Sequence, residues 1–163
     1  MSDTNEQFWL MKSEPYEFSI DDLASRKNQT TYWEGIRNYQ ARNFMRDKMN
    51  IGDKVFFYHS RAKPLAIVGT MEVASEPYPD PSQFDPNSKY FDEKATEEKP
   101  RWFLVDVKLI KKFERPVTRD KVKEEESLQE MMLIKKGARL SIQPVQPHEW
   151  EKIHEMAGEP LPD

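Results

Sequence analysis

The sequence predicts an α+β domain built on a small, curved mixed sheet. Three observations point there. Apolar runs of strand length recur at residues 8–11, 55–60, 66–74, 102–110 and 139–145. Helical patterns fall between them irregularly, without the strand–helix alternation of a parallel doubly wound fold. Gly69 interrupts the third run, where a glycine marks a bulge or a close backbone approach. Twist relief and room for a ligand are both open readings of it.

The elements follow in order. FWLM at 8–11 reads as a buried strand that Pro15 must stop. Ser19 is placed to cap a short helix running through Leu23, with Asp21 and Asp22 favourable in its first turn. NQTT at 28–31 reads as loop. Residues 37–49 suit a helix, because Ala41, Phe44, Met45 and Met49 share one arc at helical spacing. VFFYHS and AIVGTMEVA are the next strands. Residues 75–101 declare no element, and prolines stand at 77, 79, 81, 86 and 100. Tyr78, Phe84, Tyr90 and Phe91 favour a loop packed on the body over a free linker. WFLVDVKLI alternates, with Phe103, Val105, Val107 and Leu109 on one face. Thr118 caps a short helical stretch, RLSIQPV is the last strand, and 147–156 is a C-terminal helix with Pro147 near its start.

Composition bounds the chemistry. The chain has 163 residues, 37% hydrophobic and 33% charged, which suits one globular domain with a real core. Its net charge of −4 excludes a uniformly basic nucleic-acid binder, so any polyanion site must be local. With no cysteine, disulfides and thiolate metal sites are excluded. No signal peptide or membrane span is evident, and a monomeric, cytoplasmic protein is expected.

No histidine pair has metal-ligand spacing, and phosphate-loop, dinucleotide and nucleophile-elbow motifs are missing. No metal or cofactor is expected. His148 and His154 read as solvated residues of a surface helix. His59 ends a buried strand, either as a structural histidine or as part of a site. Glu14 follows a strand end, where it either caps the next turn or reads a base edge.

Residues 32–44, YWEGIRNYQARNF, concentrate four aromatics, two arginines, two asparagines and a glutamine. Such side chains stack and hydrogen-bond, which suits a surface gripping something flat and polar. Arg42 and Arg46 lie one helical turn apart, as a solvated face or as a phosphate-binding stripe. Trp33 beside Gly35, and Trp102 off its strand's core stripe, are either core or stacking residues. Residues 108–123 add seven Lys or Arg, partly offset by Glu124–Glu126.

FWLMKSEP, YWEGIRNYQARNF, GDKVFFYHS, YPDP, RWFLVDV and RLSIQPV, in this order, resemble the EVE domain family of the PUA-like superfamily. The resemblance runs from about residue 8 to 153. Glu34 and Ile36 stand where Asp and Val are frequent, and Ala66 where glycine is common. The family implies a PUA-like, β-barrel-like mixed sheet of five or more strands with flanking helices. Residues 1–7 would be a short polar tail, 8–157 the domain and 158–163 a C-terminal tail. Because only seven polar residues precede it, the chain looks like a bacterial, cytoplasmic member.

The resemblance further implies a pocket for a flipped, modified base. Related YTH domains cage methylated adenosine, and EVE domains are associated with modified cytosines in DNA. By motif, Lys12, Ser13, Glu14, Trp33, Asn38, Tyr58, His59, Ser60, Trp102 and Ser141 are the expected pocket. Arg37, Arg42, Arg46 and Arg139 are the expected phosphate contacts. The expected function is non-enzymatic binding of DNA or RNA carrying a modified base, with the choice of polymer open. A metal-independent nuclease using Glu14, His59 and Lys12, an RNA-modification accessory, and a protein-interaction module are the alternatives.

Overall fold

Strands that are apolar on both faces need covering on both, and the fold supplies two layers of cover. The computed structural model describes residues 7–162. The N-terminal tail other than Gln7, and Asp163 of the C-terminal tail, lie outside the described residues. In chain order the strands are β1 (Phe8–Ser13), β2 (Thr30–Tyr32), β3 (Lys54–His59), β4 (Ala66–Val73), β5 (Tyr78–Pro79), β6 (Phe103–Leu104), β7 (Asp106–Thr118) and β8 (Ile142–Val145). The helices are α1 (Ile20–Ser25), α2 (Tyr39–Asn43), α3 (Arg119–Glu124) and α4 (Pro147–Ala157). Six strands form one curled sheet of order β2-β7-β4-β3-β1-β8, while β5 and β6 make a separate ribbon. β1 runs parallel to β3 and antiparallel to β8, so the sheet is mixed.

The period of two explains the two cores. Trp9 and Met11 of β1, with Val55 and Phe57 of β3, join Ile20, Leu23, Trp33 and Met45 on one face. Phe8, Leu10, Phe56 and Tyr58 point the other way, against Trp150 and Ile153 of α4. Trp150 lies 4.9 Å from the Phe8 ring and 4.3 Å from Phe56, centroid to centroid. Truncating such an aromatic costs about 3–5 kcal/mol.

Gly69 sits at register breaks of β4 against β7, and a Cβ there would strike the Lys111 carbonyl and the Ile20 side chain. The glycine lets α1 press onto the sheet; it is a core contact. Ser19 caps α1 through a reciprocal capping box with Asp22.

Several expectations are corrected. Residues 30–32 are a strand, paired among the described residues with β7 alone; three polar and aromatic residues carry too little periodicity to show it. The helix expected over 37–49 is one α-turn, Tyr39–Asn43, continued by a π-helical turn, Phe44–Lys48. Its apolar arc still packs, with Ala41 and Met45 fully buried. The strand expected at 102–110 is split. β6 pairs with β5, whereas β7 runs on to Thr118 through a bulge that tolerates Pro116. The last strand starts at Ile142, leaving Arg139 and Ser141 in the approach to it. His154 is buried between Trp150, Phe56 and Phe113, with Nδ1 2.8 Å from the Trp150 carbonyl oxygen. Only His148 is solvated as expected.

Candidate nucleic-acid interface

Parallel pairing of β1 with β3 puts the C-terminal ends of both strands at one edge of the sheet. Lys12 stands opposite Tyr58 and Ser13 opposite His59, and the Ser60 N–H donates to the Ser13 carbonyl at 2.9 Å. The antiparallel approach to β8 reaches the same edge, where the Lys12 N–H donates to the Ser141 carbonyl at 2.9 Å. Topology therefore gathers three segments far apart in sequence: 12–14, 58–60 and 139–141.

Beside this edge opens a cleft of about 720 Å³, within the range of small-molecule sites (about 300–1,000 Å³). Phe18, Trp33 and Ile36 form its apolar side, and Tyr32 and Tyr90 stand at its walls. Trp33 is held edge-on by Phe57 at 5.4 Å and by Phe18 at 6.1 Å, so packing fixes its orientation. Its indole N–H is left without a protein acceptor among the described residues, on a buried residue of the cleft wall. Gly35, at φ +89°, lets the Tyr90 ring close on the backbone where any Cβ would collide.

The polar groups divide into committed and free. The Ser13 hydroxyl donates to the Phe18 carbonyl at 2.6 Å, Glu14 accepts from Tyr16 and pairs with Arg61 at 3.4 Å, and Glu17 pairs with Lys89 at 2.6 Å. Glu34 has no hydrogen-bond or ion-pair partner among the described residues. Burial, with Asp80 nearby, pushes its carboxyl pKa up.

A second cavity, about 420 Å³, adjoins the cleft and shares Lys12, Glu14 and Ser141 with it. Tyr58, Ser60, Arg61, Arg119 and Arg139 line it. Burial, and then the charge of Arg119, hold the Lys12 ammonium below its ordinary pKa. Burial pushes the Tyr58 phenol up to about 12, so it stays neutral.

The structure separates the other expected residues from the cleft. Asn38 caps α2, accepting from the Ala41 N–H at 3.0 Å. Arg37 donates to Asp80 at 3.2 Å, to Ser82 at 3.1 Å and to the Tyr90 carbonyl at 2.6 Å, which pins the 75–101 loop to the body. Trp102 is buried, stacked on Tyr39 at 4.8 Å, and donates to Asp92 at 2.7 Å. Arg42 donates to the Arg101 carbonyl at 2.9 Å, and Arg46 to Asp47 at 2.8 Å. His59 lines neither cavity; its Nε2 accepts from the Ile20 N–H at 3.1 Å, and burial lowers its pKa. Glu14, His59 and Lys12 are therefore not drawn together as an acid–base set. Among the described residues, no three His, Asp or Glu side chains gather as a metal site.

Sequence reasoning missed Tyr32, Tyr90, Glu34 and Arg119. Tyr90 carried a partial signal, since aromatics in the 75–101 segment marked a packed loop. Arg119 lay inside the basic run at 108–123.

The EVE domain model matches residues 7–156. The chain belongs to the EVE domain family. Chicken thymocyte nuclear protein 1 is 40% identical over 89% of this chain, which spans 66% of that relative. A hypothetical protein from Leishmania major superposes with a TM-score of 0.88 at 45% identity, covering 94% of this chain and 95% of that one. Human thymocyte nuclear protein 1, solved in complex with 5-methylcytosine-containing DNA, superposes at 0.88 with 36% identity, covering 96% of this chain and all of that one. The PUA-like fold is thereby shown. The expected cytoplasmic location is corrected: the chicken and human relatives carry "nuclear" in their names. The acidic, polar composition behind that expectation does not distinguish cytoplasm from nucleus. Among the described residues, no helix is long and apolar enough to cross a membrane.

Proposed function

We propose that this domain binds DNA carrying 5-methylcytosine and takes the flipped base into the cleft beside Trp33, without catalysing a reaction. One observation carries the reading. The chain presents an aromatic cleft with uncommitted polar groups, and it shares its fold and 36% identity with a protein seen in complex with 5-methylcytosine DNA. Flipping costs a few kcal/mol, and stacking on an aromatic side chain returns about 1–3 kcal/mol per base. Tyr90 and Tyr32 are the stacking surfaces, with Trp33 as the wall behind them.

Glu34 reads the exocyclic amine. A carboxylate accepting from cytosine N4 discriminates by about 1–3 kcal/mol against a base that offers an oxygen there. The methyl group, set against the apolar side, adds about 1–3 kcal/mol. Lys12, Ser141 and Glu14 border the cleft where the sugar and backbone would pass. The engagement of His59 with the Ile20 backbone supports binding without turnover.

The test is a titration of otherwise identical duplexes bearing cytosine, 5-methylcytosine or thymine at one position. Methylcytosine should bind most tightly, and Glu34→Gln should narrow its margin over thymine. Equal affinity for all three, unchanged by Tyr90→Leu, defeats the proposal. Cleavage of labelled DNA or RNA that vanishes in Glu14→Gln and His59→Ala would restore the nuclease alternative.

A further inference from the structure

We propose that the smaller cavity is a phosphate site, holding a backbone phosphate of the same nucleotide whose base enters the cleft. The inference rests on the base-binding reading above but has its own evidence. Four cations, Lys12, Arg61, Arg119 and Arg139, line the cavity against one carboxylate, Glu14, in a chain whose net charge is −4. Arg61 alone of the four has an ion-pair partner among the described residues; Lys12, Arg119 and Arg139 have none. The Lys12 ammonium lies 5.8 Å from the Tyr58 ring centroid, half-buried and without an anion.

A partly desolvated, unpaired charge is costly, and a phosphate entering the cavity removes that cost. Guanidinium groups suit it, since their planar fork matches phosphate oxygens. The other candidate arginines are already engaged: Arg37 with Asp80, Arg46 with Asp47, and Arg42 with the Arg101 carbonyl. Because the two cavities share Lys12, Glu14 and Ser141, base and phosphate would be held on either side of one strand end. That makes a nucleoside monophosphate the smallest ligand able to fill both.

The experiment is competition against a labelled 5-methylcytosine duplex by 5-methyl-2′-deoxycytidine and by its 5′- and 3′-monophosphates. At least one monophosphate should compete about tenfold better than the nucleoside, in keeping with charge-assisted hydrogen bonds. The better isomer identifies which phosphate occupies the cavity. The double variant Arg119→Ala, Arg139→Ala should erase the difference and lower the salt dependence of duplex binding by about 0.7–0.9 in log–log slope, one phosphate's worth. Arg46→Ala is the control and should change neither. Neither deleted side chain makes a hydrogen bond or ion pair among the described residues, and thermal unfolding checks that the fold is kept. Equal competition by nucleoside and both monophosphates, or a double variant with unchanged slope, overturns the proposal. Loss of methyl preference in the duplex series with the slope effect intact would refute the base reading and leave the phosphate site standing.

Discussion

Two regions of this molecule combine arginines with aromatic rings, and they differ in what those groups still have to give. Around α2, Arg37, Arg42 and Arg46 stack on Tyr90, Trp102, Tyr39 and Phe103 at 4.7–6.0 Å, and each also donates to a protein acceptor. At the strand-end edge, Lys12, Arg119 and Arg139 surround a cavity without an acidic partner among the described residues. Similar composition thus serves as mortar in one place and as a receptor in the other. What separates them is hydrogen-bond satisfaction, which only tertiary structure decides.

The largest effect should come from the mortar. Asp80 is fully buried and accepts from the Gly35 N–H at 2.8 Å, the Ser82 N–H at 2.8 Å and Arg37 at 3.2 Å. Asp80→Ala leaves a largely buried guanidinium unpaired, which costs about 3–5 kcal/mol. Urea unfolding should show that loss as a lower midpoint. A change below about 1 kcal/mol would mean that the α2 region is not the structural half of the comparison.

Next comes the contrast in binding. Tyr90→Leu removes a cleft wall and should weaken binding to methylated duplex by about 1–3 kcal/mol, a stacking contribution. Trp102→Phe should leave affinity within about 0.5 kcal/mol while lowering stability, because Asp92 loses the indole N–H and keeps only the Lys94 N–H and the Arg101 pair at 3.5 Å. The reverse pattern, with affinity lost only at Trp102, would move the interface to α2.

The same contrast explains what the sequence made legible. Strand 8–11 and strand 55–60 were readable because both are continuous apolar runs, and their motifs named the edge where Lys12, Tyr58, Ser60 and Ser141 meet. The register that puts Lys12 beside Tyr58 was not readable, since parallel pairing is set by long-range packing. Trp33 and Trp102 looked equivalent in composition, yet one borders the cleft and the other is stacked under Tyr39. Arg37 looked like a phosphate contact because Asp80, its partner, lies 43 residues away in a segment with no periodicity. Arg119 was hidden for the opposite reason, as one cation among seven in its run.

Lys12 sharpens the comparison through pH. Burial and Arg119 depress its pKa below 10.5, so it sheds its proton at a lower pH than an exposed lysine. An anion in the smaller cavity favours the charged form, so nucleic-acid affinity should fall as pH rises through that depressed value. Tyr58, at about 12, stays neutral throughout and cannot mimic the effect. In Lys12→Arg the alkaline loss should vanish, since arginine keeps its charge. A wild-type affinity that falls no more than that of Lys12→Arg as pH rises toward 10.5 would remove Lys12 from the anion site.

The smallest effect concerns the two histidines that serve the core, on the acid side. His59 uses Nε2 as an acceptor for the Ile20 N–H, and His154 is buried against Trp150, so both favour the neutral ring and both pKa values are lowered below 6.5 by burial. Below pH 6.5 the unfolded chain therefore binds protons that the folded chain refuses. Stability is full above 6.5 and declines as pH falls toward the folded-state values. The slope cannot exceed about 1.4 kcal/mol per pH unit for each histidine, and falls short of it near either pKa. His59→Gln keeps an acceptor for Ile20 without titrating, so urea midpoints at pH 5 and pH 7.5 should lie closer together in that variant than in the wild type. Acidification that raised the wild-type midpoint relative to that of His59→Gln would show that His59 gains, rather than loses, from its proton, and would return it to the list of groups able to act on a bound nucleic acid.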